Sequence, residues 1–113
     1  MMTDLTYLKN MASGNIAFVK EMIQIFIEQV AELETDMKNA LSTDNSIVLG
    51  KLAHKAKSTV SVMGMNNLSE QLKSLEHWAN EGKEKDKYNA IVERFVNESH
   101  IAVAELKNTL KEL

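Results

Sequence analysis

The segment LAHKAKSTVSVMGM, residues 52–65, carries the side chains best suited to chemistry. Read as a helix at about 100° per residue, His54, Lys57, Ser58 and Ser61 share about a third of the circumference. They sit opposite Leu52, Thr59 and Met63, so the periodicity aims His54 at solvent or a shallow groove rather than at a core. A neutral imidazole nitrogen is a competent nucleophile towards an activated phosphoryl group. Such a transfer depends mostly on positioning and on stabilising charge. Lys57, one turn along, can reach the ring or anything attached to it. A cation beside an imidazole disfavours the protonated ring and stabilises an anionic adduct. Ser58 and Ser61 are small where a solvent face usually carries long charged side chains, which leaves room for a second protein to approach. The plainer reading is an ordinary surface histidine.

Long helices must position these residues. The chain has no proline and only four glycines, at 14, 50, 64 and 82, so it contains few breakers. Asp4 is placed to cap a short helix ending near Met11, and Ser13-Gly14-Asn15 reads as a turn. A long helix is expected from about Asn15 to Leu41, with Val19, Met22, Ile23, Phe26, Val30, Leu33, Met37, Ala40 and Leu41 on one stripe. Ser42 to Asn45 is a loop rich in N-cap residues. The helix carrying His54 is expected over about Asn45 to Met63, with Val48, Leu49, Leu52, Ala56, Thr59, Val60 and Met63 facing inward. Gly64 is placed to stop it. A further helix starts at Asn66 or Asn67, turns Leu68, Leu72, Leu75 and Ala79 inward and ends at Gly82. A loop or frayed turn, Glu81 to Lys87, leads to a last helix carrying Tyr88, Ile91, Val92, Phe95, Ala102, Val103, Leu106 and Leu110. No strand signal or internal repeat is present. The expected fold is all-α, a single domain over residues 1–113: an antiparallel up-down-up-down four-helix bundle with a short N-terminal helix as a lid or cap.

Phe18 and Ile25 lie off the core stripe of the long helix, and Met22 lies at its edge. Either this helix packs against two neighbours, or these residues form an apolar patch for a partner protein. Other chemistries find little support. The net charge of −3 argues against nucleic-acid binding. No apolar run approaches a membrane span, and the N-terminus lacks a signal-peptide pattern. Absence of cysteine removes thiol chemistry and fits a reducing compartment. His54, His77 and His100 are evenly spaced, but the residues three before them are Lys51, Ser74 and Asn97. None is a carboxylate, as inward-pointing metal pairs in helix bundles require. Met22, Met37 and Met63 read as core filler. Lys83, Lys85 and Lys87 alternate with Glu84 and Asp86 as a solvated loop.

The run HKAKSTVSVMG resembles the signature of histidine-containing phosphotransfer (HPt) domains. That signature reads His, any residue, an apolar residue, Lys, a small residue usually Gly, then small residues and an apolar-Gly ending. The segment LTYLKNMASGNIAFVKEMIQIFIEQVAELETDMKNAL, Asp44 before the histidine helix, and LSEQLKSLE after it are similar to the family's flanking parts. The resemblance covers nearly the whole chain. It implies that His54 accepts a phosphoryl group from the aspartyl phosphate of one receiver domain and passes it to another. It further implies that Lys57 lies near the phosphoryl oxygens, and that Glu76 orients the imidazole through its other nitrogen. Phe18, Met22 and Ile25 match the region of the second helix that contacts receivers, and Ser58 and Ser61 the docking face around the histidine. Two positions depart from the pattern. Ser58 replaces the usual Gly and puts a hydroxyl beside the ring, and Ala56 replaces a commoner Leu.

The same resemblance implies a phosphocarrier rather than an enzyme, binding no cofactor of its own. The receivers of a hybrid kinase or response regulator would supply Mg²⁺. A cytoplasmic monomer is expected. Two alternatives belong to other classes: a helical adaptor that does no chemistry, and the phosphoacceptor domain of a chemotaxis-type histidine kinase. The adaptor tolerates His54→Gln, whereas the carrier does not. The kinase type needs an ATP-binding domain, which this sequence lacks.

Overall fold

A computed structural model describes all 113 residues. Five α-helices make up the fold: α1 (Thr6–Ala12), α2 (Ile16–Ser42), α3 (Ser46–Val62), α4 (Asn66–Glu81) and α5 (Tyr88–Glu112). A single 3₁₀ turn, Lys85–Lys87, leads into α5. The bundle measures 43 × 20 × 20 Å. Its long axis matches α2, whose 27 residues span about 40 Å at ~1.5 Å per residue.

Local chemistry sets the helix ends. The Asn15 side chain accepts the Phe18 N–H at 3.1 Å at the start of α2, and Asn45 accepts the Val48 N–H at 3.1 Å at the start of α3. Each satisfies one of the backbone donors left unpaired in a first helical turn. Asp4 accepts the Thr6 N–H at 3.0 Å as α1 begins. Gly82 closes α4 in the left-handed conformation at φ 66°, where a side chain would be strained.

The core runs the length of the bundle. It is formed by Val19, Ile23, Phe26, Val30, Leu33, Met37 and Ala40 of α2, Leu68, Leu72, Leu75 and Ala79 of α4, and Tyr88, Ile91, Val92, Phe95, Ala102 and Leu106 of α5. Leu8 and Ala12 of α1 join it. The inward face of α3 differs from the expected stripe. It consists of Leu49, Gly50, Ala53, Ala56, Val60 and Met63, while Val48 is exposed and Leu52 and Thr59 are half-buried. The reason is close approach. Contacts step down α4 as they step up α3, from Gly50 against Asn80, through His54 against Glu76, to Ser61 against Ser69. A Cβ on Gly50 would overlap the Asn80 side chain. Gly50 and Ser61 meet α4 at the two ends of this seam, with His54 and Lys57 reaching Glu76 between them, and the larger Val48 and Leu52 are left less buried. Met22 too leaves the core stripe and is half-buried at its edge.

The N-terminal segment straps over the turn between α3 and α4. The Asp4 N–H donates to the Met63 carbonyl at 3.0 Å. Glu105 of α5 accepts the Met2 and Thr3 N–H groups at 2.7 and 3.0 Å and the Thr3 hydroxyl at 3.0 Å. Gly64 lies beneath this strap at φ 72°, where a Cβ would run into the Asp4 backbone. This places α1 beside the C-terminal half of α3.

Candidate functional site

The α3–α4 seam brings together three residues that the sequence separates. Glu76 bridges the other two: its Oε2 lies 2.7 Å from His54 Nδ1 and its Oε1 accepts from Lys57 Nζ at 2.9 Å. His54 and Lys57 are one turn apart on α3, and Glu76 stands opposite on α4. The carboxylate is held below the ordinary glutamate range, first by the Lys57 hydrogen bond and then by that from His54, against an opposing push from partial burial. An ionised Glu76 only accepts hydrogen bonds. It therefore holds a proton on Nδ1 and leaves the Nε2 lone pair free. The His54 side chain is 64% exposed, against 21% for Glu76 and 26% for Lys57. The nucleophilic edge of the ring thus faces outward, while the groups that orient it are rooted in the seam.

The Lys57 ammonium is directed at Glu76 rather than at the ring, so its influence on His54 passes through a carboxylate of opposite charge. Ser58 is exposed on α3, as the periodicity indicates. Ser61 turns towards the seam: its hydroxyl bonds to the Lys57 carbonyl at 2.8 Å and to the Ser69 hydroxyl at 2.7 Å. It lies half-buried at the margin of the open surface.

The three apolar residues of α2 divide. Met22 and Ile25, with Phe26 and Gln29, line a shallow groove against Thr59 and Val62 of α3 and Met63 just after it. This groove lies on the flank of the His54 helix. Phe18 and Met22 are half-buried and pack on the core, and Phe18 is absent from the groove lining. A wide α2 stripe serving two neighbours accounts for much of what looked like an exposed patch.

One wall of the site has no counterpart in the sequence reading. Thr6, Tyr7 and Asn10 of α1 line a broad polar groove with Lys57, Ser58, Ser61 and Ser69. Tyr7 is 58% exposed. Nothing in the local sequence of α1 signals this, because its position depends on the strap at Gly64. A second grouping was equally hidden. His100 Nε2 lies 2.9 Å from Glu34 Oε2, and Lys38 bonds the other Glu34 oxygen at 3.0 Å. The Glu34–Lys38 pair is readable at i,i+4 spacing, but His100 arrives from α5. Here the engaged nitrogen is Nε2, so the free one is Nδ1, close to the backbone. His77 is exposed and faces only Glu81, at 3.9 Å. No group of three His, Asp or Glu side chains is placed to hold a metal ion.

A helical bundle with an outward imidazole whose Nδ1 is held by a carboxylate shared with a lysine, leaving Nε2 free, fits a class of histidine-bearing signalling modules. The chain belongs to the Hpt domain family, whose model matches residues 21–113. The match begins within α2 and leaves α1 outside it. No curated protein and no solved structure matches the chain significantly. Hpt domains are phosphocarriers rather than enzymes, acting in histidine phosphotransfer of two-component signalling and interacting with receiver domains. No helix is long and apolar enough to cross a membrane.

Proposed function

We propose that this chain is the phosphocarrier of a multistep phosphorelay, with His54 as its phosphoacceptor. The receiver's aspartyl phosphate presents its phosphorus to His54 Nε2. The ring lone pair forms the N–P bond, the P–O bond to the aspartate breaks, and its electron pair leaves on the carboxylate. The ring proton stays on Nδ1 beside Glu76, which stabilises the positive charge the ring acquires. Lys57 sits one turn away, where it can shift from Glu76 to the incoming phosphoryl oxygens. The reverse sequence delivers the group to the aspartate of a second receiver. Mg²⁺ and most catalytic groups belong to the receivers, and this chain binds no cofactor.

The observation that carries this reading is the orientation of His54: exposed, with Nδ1 engaged by Glu76 at 2.7 Å and Nε2 free. Receivers dock, in this reading, over Ser58, the margin at Ser61, and the Met22–Ile25 groove, with Phe18 supporting that groove from the core. Residues 1–113 act as one domain and as a cytoplasmic monomer. The long helices follow an up-down-up-down order, which the short connections at 43–45, 63–65 and 82–87 favour.

The test is transfer from a receiver domain charged with acetyl phosphate and Mg²⁺, to the wild type and to His54→Gln. Acid-labile, alkali-stable label on the wild type alone is expected, with identical helical circular dichroism. Label on neither protein across several receivers would instead favour a helical adaptor that binds through the α2–α3 groove.

A further inference from the structure

Ser58, one turn from His54 on α3, is left without a chemical role by the mechanism above. Its hydroxyl is exposed and makes no hydrogen bond within the protein. Its neighbours behave differently. Thr59 and Ser61 return their hydroxyls to the carbonyls four residues back, at 3.0 and 2.8 Å. The Ser58 donor is therefore uncommitted.

Its direction follows from the helix. Lys57 and Ser61 mark the side of His54 that faces α4, through Glu76 and Ser69. Ser58 lies on the other side, about 40° round from His54 at the i+4 position. Residues at i and i+4 are neighbours on a helix surface, about 5–6 Å apart at Cβ, so Ser58 adjoins His54 one turn along α3. Nδ1 of the ring is turned to α4 by Glu76. Nε2, on the other side of the ring, is therefore directed away from Glu76.

We infer that the Ser58 hydroxyl donates a hydrogen bond to a phosphoryl oxygen carried on His54 Nε2, opposite the Lys57 ammonium. This deepens the carrier reading and rests on it. No bond to phosphorus is made or broken by Ser58; it is a positioning residue that stabilises the charged adduct. A phosphoryl group offers three acceptor oxygens and nearly two negative charges. Lys57 approaches them from the α4 side and Ser58 from the open side, so the two donors flank the group. The free hydroxyl favours the phosphorylated state of the carrier, because it gains its protein partner only there.

The experiment labels His54 chemically with phosphoramidate, which phosphorylates imidazoles without a receiver. His77 and His100 are replaced by Gln in every variant so that one site carries the label. The second ionisation of the phosphoryl group is then followed by ³¹P chemical shift against pH. Loss of a donor to the dianion lowers its acid-dissociation constant. Ser58→Ala and Ser58→Gly should each lower it about threefold, and Ser58→Thr, which keeps the hydroxyl, should restore it. A titration in Ser58→Ala identical to that of the parent overturns the inference. So does a Ser58→Thr titration matching Ser58→Ala, which would show that the hydroxyl does not carry the effect. Failure of the carrier reading appears separately, as absence of transfer from a charged receiver.

Discussion

Replacing Glu76 tests the orientation of His54 most directly, and the outcome depends on which residue replaces it. Glu76 holds Nδ1 at 2.7 Å and Lys57 at 2.9 Å with its side chain 21% exposed. A charge-assisted hydrogen bond at such a partly exposed position contributes about 1 kcal/mol net. Losing the fixed tautomer and ring orientation should therefore slow phosphoryl acceptance about fivefold in Glu76→Ala, since ~1.4 kcal/mol is a factor of ten. Glu76→Gln looks milder, but the geometry says otherwise. The amide offers one oxygen where two donors need acceptors. If the oxygen turns to Lys57, the amide N–H faces Nδ1, the ring proton moves to Nε2, and the nucleophilic lone pair is lost. If the oxygen turns to Nδ1, the amide N–H groups oppose the Lys57 ammonium. Glu76→Gln should thus fall at least as far as Glu76→Ala. Single-turnover transfer from a charged receiver measures this, with a denaturation curve to show that stability shifts by no more than about 1 kcal/mol. A Glu76→Gln carrier that accepts phosphate at the wild-type rate would refute the proton-holding role.

Three further outcomes follow from the same geometry. Ile25→Glu places a charge in the Met22–Ile25–Val62 groove and should weaken receiver binding about tenfold by calorimetry, with the melting curve nearly unchanged; an unaltered affinity would return Ile25 to a packing role alone. Gly64→Ala combines a positive φ with overlap of the Asp4 backbone and should cost about 2–3 kcal/mol in urea unfolding, loosening the strap that seats α1; a loss under about 0.5 kcal/mol would show that the strap is easily displaced. Glu34 is held below its ordinary value of 4.5, first by His100 and then by Lys38, and Glu76 likewise by Lys57 and then His54. A depressed carboxylate stabilises the fold above its unfolded-state value and loses that contribution as pH falls through the folded-state value. Acidification from about pH 6 to about pH 3 should therefore destabilise the wild type more than Glu34→Gln, read as the shift of the urea midpoint; equal shifts would count against the α2–α5 tie.

The helices were largely legible before folding because their signals are local. Asn15 and Asn45 lie within a turn of the backbone groups they cap, and Gly82 marks its own helix end. The α2 stripe is long enough for its period to be unambiguous. The α3 stripe misled because periodicity weighs residues by hydrophobicity, whereas a close helix–helix seam selects by size. Gly50 closes on Asn80 of α4 and Ala53 is buried while Val48 is left exposed. The exposure of His54 survives this rotation because it needed only the polar side of the helix.

The sequence by itself determined that the chain is helical, that His54 and Lys57 share the polar side of one helix, and that Ser58 stands one turn from the histidine, since each is a relation within a few residues of one helix. Only the tertiary structure decided that Glu76 bridges His54 and Lys57, that Ser61 turns into the seam, that Met22 and Ile25 but not Phe18 line the groove beside α3, and that α1 walls the site. Those relations join separate helices. Their register and approach are set by the packing of side chains as small as Gly50 and by a strap that crosses Gly64, and no period along the chain encodes either.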